Sequence, residues 1–313
     1  MKEISYPCKI DNSLQPAIYH KAKGAKRPLL VALHTWSYSH VTGFEEYLKY
    51  CETNDWNLIF PEFRGPNWTP QGCGSEYVVS DLEDAVTFAK NDADADESRI
   101  YLCGGSGGGH CTLYMAGRHP DLWAAVSAWC PITDIAAWHA QSLALDKSYA
   151  LHIELACGGN PAENNAAAEE AKKRSPLTWL KNSQGTPLII DINAGIHDGH
   201  RNCSVPVSHA INAFNIIAKE TDRISADDIE TIVKDEIIPD HLKTDIIDPC
   251  YGSHTLLLRR VSGNVRLNIF EGGHDLLPFP AMEWLSRQRR AQAPDWTAGN
   301  ASNIMEGNTQ LTK

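Results

Sequence analysis

One serine stands out because glycines flank it on both sides. Residues 103–110 read CGGSGGGH and contain the pattern G-x-S-x-G around Ser106. The apolar segment 98–102 before it predicts a short buried strand, and the small-residue segment 110–118 after it predicts a helix. A serine on such a sharp turn is lifted above the sheet, and the helix N-terminus favours developing negative charge. The pattern therefore predicts a nucleophile, with a glycine-rich phosphate-binding or purely structural loop as the alternative.

A serine nucleophile needs a base, and the base needs an acid that orients it. His274 follows the last predicted strand directly after two glycines, which allow the loop to turn the ring inward. Asp198 follows the predicted strand 187–193 through a short glycine-containing loop. We predict Ser106, Asp198 and His274 as a catalytic triad, and Asp134 is the alternative acid.

The loop after the predicted central strand 29–33 is expected to complete an oxyanion hole. Such a hole takes one backbone N–H from the residue after the nucleophile and one from this loop. The donors are predicted to be Gly107 and either Thr35 or Trp36. His34 is interpreted mainly as a structural histidine of the loop, with a contact to substrate as the alternative.

Several large side chains fall on predicted loops near the strand ends and are candidates for binding substrate. Aromatic faces there suit sugar rings or an aryl acyl group, although at least half of the aromatic residues are expected to be core. The candidate substrate-binding residues are His34, Tyr38, Arg64, Trp68, Trp129 and Trp138.

Predicted strands alternate with predicted helices along the chain, which indicates a mostly parallel sheet with helices on both faces. We predict one α/β domain over residues 1–293, with helical insertions over the site at about 132–185 and 221–260. Residues 294–313 are predicted to be a loosely ordered polar tail. A helix is predicted to start after Ser80 as its N-cap.

Composition excludes several kinds of partner. The net charge is −11 and 42% of the residues are hydrophobic. These values are typical of a soluble globular protein and argue against nucleic acid or an anionic membrane as partner. Nine cysteines without a C-x-x-C pair disfavour zinc and thioredoxin-like sites, and no metal or cofactor is expected. No signal peptide or transmembrane span is predicted, and the compartment and oligomeric state stay open.

The chain resembles the prolyl-oligopeptidase-like branch of the α/β-hydrolases, including its short acetyl esterases. The resemblance implies the α/β-hydrolase fold and the same triad. Two departures stand out: His34 takes the place of an oxyanion tyrosine, and about 28 residues precede the first core strand where the peptidases carry a β-propeller. The matching segments are PEFRG at 61–65, SRIY at 98–101, GGSGG at 104–108, ACGGNP at 156–161, RSP at 174–176, Asp198 with VP at 205–206, and GGH at 272–274.

These observations predict a serine esterase that cleaves a carboxylic ester through an acyl-enzyme. The expected partner is a small-molecule or oligosaccharide ester, most simply an acetyl or feruloyl ester of a plant polysaccharide. The first alternative is a prolyl-oligopeptidase-like serine peptidase for short peptides. The second is a binding protein without catalytic activity on a hydrolase scaffold.

Overall fold

The computed structural model describes residues 1–200 and 203–299. The described residues form nine strands: β1 (Lys2–Pro7), β2 (Leu14–His20), β3 (Leu29–Leu33), β4 (Asn57–Pro61), β5 (Ile100–Gly105), β6 (Ala125–Trp129), β7 (Ile189–Gly195), β8 (Leu256–Ser262) and β9 (Val265–Phe270). They also form ten α-helices: α1 (Glu45–Asn54), α2 (Glu76–Ala93), α3 (Gly107–Arg118), α4 (Ile135–Ala144), α5 (Tyr149–Cys157), α6 (Asn165–Lys173), α7 (Pro176–Trp179), α8 (Ser208–Ile217), α9 (Ala226–Asp235) and α10 (Pro278–Ser286).

All nine strands belong to one sheet in the order β1-β2-β4-β3-β5-β6-β7-β9-β8. The strands from β4 to β9 in that order pair in parallel, whereas β1, β2 and β8 pair antiparallel at the two edges. Leu33 pairs with Gly104, Gly105 pairs with Trp129, and Gly195 pairs with Phe270. The carboxyl ends of the central strands therefore meet at one edge, where sites of α/β proteins form.

Helices cover both faces of the sheet because the central strands are apolar on both sides. Every residue of β3 and β4 is buried, as expected of strands covered on two faces. Helices α2, α3 and α8 supply Leu82, Leu113 and Phe214 to one core. Helices α1 and α10 supply Tyr47 and Trp284 to the core on the other face.

Helix α2 starts five residues earlier than the sequence predicted. Its N-cap is Ser75, whose side-chain oxygen accepts from the Tyr77 and Val78 amides at 3.2 and 3.4 Å. Ser80 lies inside the helix, and its hydroxyl contacts Asp84 and Cys8 instead. The predicted cap at Ser80 is therefore wrong, because a serine nearer the preceding turn satisfies the first helical N–H groups.

Two further segments differ from expectation. Strand β8 starts inside the segment predicted as a helical insertion, 221–260, and extends two residues beyond it, and it pairs antiparallel with β9. Residues 294–299 are packed rather than loose, since Trp296 stacks on Trp284 with ring centroids 5.6 Å apart. Residues 300–313 of the predicted tail lie outside the described residues. Among the described helices, none is both long and apolar enough to cross a membrane.

Candidate active site

Ser106 lies in the turn between β5 and α3 with an unusual backbone conformation. Its φ is 57° and its ψ is −118°, a region that L-residues rarely adopt. The Ser106 N–H donates to the Trp129 carbonyl at 2.8 Å, and the Ser106 carbonyl accepts from the His110 N–H at 2.8 Å. Such strain persists where the surrounding structure fixes it, and it is the conformation of a nucleophile on a strand-to-helix turn.

Glycines let this turn approach its neighbours at backbone distance. A Cβ at Gly104 would lie 2.6 Å from the Gly108 carbonyl group, and one at Gly107 would lie 2.5 Å from the Trp36 nitrogen. Both contacts are too close for any side chain. The turn therefore packs directly against the loop that follows β3.

The Gly107 and Trp36 amides are adjacent and have no hydrogen-bonding partner among the described residues. The Trp36 peptide is fixed from its carbonyl side, because Asn67 donates to that oxygen from its backbone at 2.9 Å and from Nδ2 at 3.3 Å. Asn67 is itself buried, and its Oδ1 accepts from the Cys73 N–H at 3.0 Å. The contact with Gly107 favours Trp36 over Thr35 as the second oxyanion donor.

Asp198 and His274 meet although 76 positions separate them in the sequence. The His274 Nδ1 and the Asp198 Oδ2 lie 2.6 Å apart, and Asp198 is 1% exposed. The other carboxylate oxygen accepts from the Gly199 and Val205 amides at 2.9 and 3.1 Å. These bonds hold the carboxylate in position and fix the ring tautomer that leaves Nε2 unprotonated.

The serine hydroxyl is not yet bound to the base. Among the described residues, Ser106 Oγ makes no hydrogen bond, and bonds of this kind often tighten only when substrate is present. The turn that carries Ser106 and the loop that carries His274 nevertheless lie at the same edge of the sheet. Leu276, two residues after His274, packs so closely on Gly105 that a Cβ there would lie 2.6 Å from its side chain.

Cys130 supports the histidine loop from the end of β6. Its Sγ lies 3.5 Å from the Asp275 carbonyl oxygen and within 4.8 Å of ligand atoms of Asp198 and His274. In the described part of the chain, this is the one group close enough to hold a metal ion. Burial raises the pKa of the Cys130 thiol well above its ordinary value, which disfavours the thiolate that a metal needs. The group coincides with the acid and base, and we assign no metal to it.

The sequence profile of the prolyl oligopeptidase family matches residues 63–224, just over half of the chain. The chain belongs to the prolyl oligopeptidase family. Acetylxylan esterase A of Emericella nidulans is 30% identical over 128 residues, which are 37% of this chain and 41% of the esterase. Acylamino-acid-releasing enzyme 1 of Oryza sativa subsp. japonica is 26% identical over 132 residues, which are 36% of this chain and 17% of that enzyme. The match thus spans less than half of either relative.

Solved structures with this fold cover nearly the whole chain. Pyrococcus horikoshii acylaminoacyl peptidase in its orthorhombic form has a TM-score of 0.61 and 16% identity, covering 97% of this chain and 43% of its own. Puromycin hydrolase has a TM-score of 0.59 and 13% identity, covering 96% of this chain and 41% of its own. The predicted α/β-hydrolase fold is confirmed.

Four of the predicted substrate-binding side chains are occupied within the structure rather than open to a ligand. Both ring nitrogens of His34 face backbone carbonyls, at 2.8 and 2.9 Å. Arg64 forms ion pairs with Asp11 and Asp81 at 2.7 and 2.8 Å. Trp129 and Trp138 are 2% and 1% exposed, and each indole N–H already has an acceptor. Trp129 is the last residue of β6 and Trp138 lies in α4, so both belong to packed elements and not to the loops that the sequence predicted for them.

Tyr38 and Trp68 remain available at the surface. Tyr38 is 54% exposed, and the half-buried Trp68 ring lies 4.7 Å from the His152 ring. The loop that carries Trp68 adjoins the oxyanion loop through Asn67, so Trp68 is placed near Trp36. Their role in binding substrate stays a prediction.

Sequence reasoning missed Asn67 and His197. Asn67 fixes the Trp36 carbonyl, and His197 contacts two carboxylates next to Asp198. Asn67 lies in a loop with no periodic pattern, so no sequence signal points to it. His197 directly precedes the predicted acid, and that adjacency was the available signal.

Proposed function

We propose that this chain hydrolyses a carboxylic ester through an acyl-enzyme on Ser106. His274 is the general base and Asp198 orients it. The observation that carries the proposal is the 2.6 Å hydrogen bond between His274 and buried Asp198 at the sheet edge where the strained Ser106 lies. A serine alone is too weak a nucleophile, so this pair supplies what Ser106 needs.

The geometry supports a two-stage reaction. His274 Nε2 takes the hydroxyl proton as Ser106 Oγ attacks the ester carbonyl, and the Asp198 carboxylate stabilises the imidazolium that forms. The Gly107 and Trp36 amides donate to the oxyanion, and one such donor is worth about 10²–10³ in kcat. The alcohol then leaves with the proton from Nε2. Water repeats the sequence on the acyl-enzyme and releases the acid.

The proposed substrate is an acetyl or feruloyl ester of a carbohydrate or plant polysaccharide. The likeness to acetylxylan esterase A, and to a probable acetylxylan esterase A of Aspergillus flavus at 27% identity over 128 residues, supports this class. The available rings of Tyr38 and Trp68 give a sugar or an aryl acyl group aromatic faces to pack on.

A peptidase acting on short peptides is the second candidate. The likeness to an acylamino-acid-releasing enzyme and the family itself favour it. An amide nitrogen leaves poorly and must be protonated by His274 as it departs. That step demands rigid positioning of the peptide, which is worth several kcal/mol. An ester alkoxide demands less from the same residues.

Kinetics on paired substrates distinguish the two candidates. We expect kcat/KM for an aryl acetate, a feruloyl ester or an acetylated xylo-oligosaccharide to exceed that for an alanyl or prolyl arylamide by at least about 10², or about 2.7 kcal/mol. Comparable values would make the peptidase the better assignment. Ser106→Ala should abolish hydrolysis of both classes while the fold survives. The control Ser286→Ala, an exposed serine at the end of α10, should retain full activity.

A further inference from the structure

His197 stands directly before the proposed acid and bridges two carboxylates. Its Nδ1 lies 2.5 Å from Oε2 of Glu236, and its Nε2 lies 2.6 Å from Oε1 of Glu271. The His197 side chain is 13% exposed and that of Glu236 is 22% exposed, so water competes little with the contact between them. None of the catalytic steps above uses this group.

The chemistry of the contacts defines the orientation of the ring. Ionised carboxylates only accept hydrogen bonds, so each ring nitrogen of His197 faces an acceptor oxygen. Charge-assisted bonds of this length are stronger and more directional than neutral ones. His197 is therefore held in one orientation from both sides.

The two carboxylates belong to segments distant in sequence. Glu236 is the C-terminal cap of α9, and Glu271 directly follows β9, three residues before His274. The His197 backbone N–H also donates to the Gly272 carbonyl at 2.9 Å. His197 thus joins the loop carrying Asp198 to the loop carrying His274 and ties both to α9.

Helix α9 is a firm anchor for this contact. Ile232 is fully buried in the main core, and Ile229 and Val233 pack against it. A second contact runs in parallel, because His200 Nε2 donates to the Val233 carbonyl at 2.6 Å. Through these contacts, α9 holds the loop that carries Asp198 in place. The sequence pattern of α9 does not indicate this role.

We propose that His197 is a positioning residue, which holds Asp198 in line with His274 by bridging Glu236 and Glu271. The inference rests on the proposed function, because it assumes that the Asp198–His274 pair does the chemistry. A displacement of about 1 Å at a catalytic group can cost about 10²-fold in rate. Loss of the bridge should accordingly lower kcat and leave KM nearly unchanged, since no substrate contact is removed.

The test compares His197→Gln with wild type, using a small aryl ester and counting active sites with a fluorophosphonate. We expect kcat per active site to fall by about 10- to 10²-fold, with KM within about twofold. The downfield proton resonance of the His274 Nδ1–H should shift or broaden. The matched control is His119→Gln, which removes the contact between His119 and Glu83 at 3.1 Å near the far end of α3 and should change neither readout.

A second pair of variants keeps the inference testable if His197→Gln folds poorly. The Glu271 side chain is 55% exposed, so its replacement should spare the fold. Glu271→Gln keeps an acceptor oxygen for Nε2 and should lose less kcat than Glu271→Ala. Equal losses in the two variants would contradict a role through this hydrogen bond.

The outcomes separate this inference from the proposed function. Unchanged kcat and an unchanged proton resonance in folded His197→Gln would overturn the inference alone, provided that Asp198→Asn is strongly impaired. Full activity in Asp198→Asn would overturn the proposed triad, and the positioning role with it. A selective loss of kcat in His197→Gln, absent from His119→Gln, is the result that supports it.

Discussion

The nucleophile turn and the acid–histidine loops face each other at one sheet edge, yet they are built in different ways. The turn is a contiguous stretch, residues 103–110, and the hydrogen bonds of Ser106 in it are between backbone atoms. The acid and base come from loops 76 positions apart and are joined by side-chain contacts. Both regions need space for the backbone, since a Cβ at Gly195 would overlap the Gly273 carbonyl oxygen, but the acid–histidine loops also depend on charged side chains.

This difference determines which substitutions each region tolerates. A single added methyl group should damage the turn, because a Cβ at Gly107 has no room beside Trp36. In the acid–histidine loops, substitutions that keep the shape of a side chain but remove its hydrogen bonds should also be damaging, at Asp198 or at His197 between its two glutamates. Four substitutions or conditions test the contrast, from the largest expected effect to the smallest.

The largest effect should come from Asp198→Asn. The amide keeps the shape of the carboxylate but favours the wrong histidine tautomer, so kcat should fall by about 10⁴ in ester hydrolysis. Asp134→Asn is the matched control, since Asp134 caps α4 by accepting from the Ala137 N–H at 3.0 Å. If Asp134→Asn showed the large loss and Asp198→Asn did not, the acid would be misassigned.

Gly107→Ala should come next. Its methyl group would push the Trp36 amide away from the Gly107 amide and disable one oxyanion donor, so kcat should fall by about 10²–10³. Gly43→Ala is a useful control, because Gly43 also has no Cβ but has open space around it and a φ of 88°. Loss of activity in both variants alike would mean that the contact with Trp36 is not responsible.

One buried neutral histidine lies in the nucleophile turn and another in α8, and both should make stability depend on pH. Burial lowers the pKa of His110 in α3 and of His209 in α8 to about 4, from 6.5. Between those values the unfolded chain binds more protons, so stability falls as the pH drops from 6.5 towards 4 and levels off below that. Urea unfolding should show a loss of about 2 kcal/mol per histidine between about pH 7 and pH 5.

The variant His209→Gln tests whether His209 causes this pH dependence of stability. His209→Gln should reduce the loss between the two pH values by about 2 kcal/mol. His209 Nδ1 already accepts from the Thr133 N–H at 3.0 Å, which blocks protonation there. His241→Gln, at a side chain that is 65% exposed, should leave the pH dependence unchanged. An unchanged pH dependence of stability in His209→Gln would mean that another group causes it.

Asn67→Ala should have the smallest effect on activity, about tenfold in kcat, because the Asn67 backbone bond to the Trp36 carbonyl remains while the side-chain bond is lost. Asn182→Ala removes a comparable bond to the Gly117 carbonyl at the far end of α3 and should leave kcat unchanged. Wild-type kinetics in folded Asn67→Ala would show that Trp36 needs no such support.

The same contrast explains what the sequence could predict. The run at 29–33 and the turn around Ser106 are specified by neighbouring residues, so their strand, turn and helix follow from local pattern. The start of α2 was missed because Ser75 and Ser80 both suit an N-cap and only the preceding turn decides between them. Trp138 is buried because it packs against Trp36, which lies in a different part of the chain. No local sequence pattern encodes such a contact.

The bridge through His197 lies further beyond sequence reasoning. Its two partners stand 39 and 74 positions away, and one of them belongs to a segment without a recognisable motif. Strand β8 was missed for a related reason, since its pairing with β9 is defined by a turn at 263–264 rather than by strong alternation. Tertiary contacts, and not the local sequence, determine which charged residues pair and which segment forms an edge strand.

The most direct test of the account is to locate the adduct of a fluorophosphonate by peptide mass spectrometry. The account predicts one adduct on Ser106 in the wild type, formed much more slowly in Asp198→Asn and absent from Ser106→Ala. The control Ser286→Ala should be labelled at the wild-type rate. An adduct on another residue, or labelling and ester hydrolysis that persist in Ser106→Ala, would contradict the claim that Ser106 is the nucleophile.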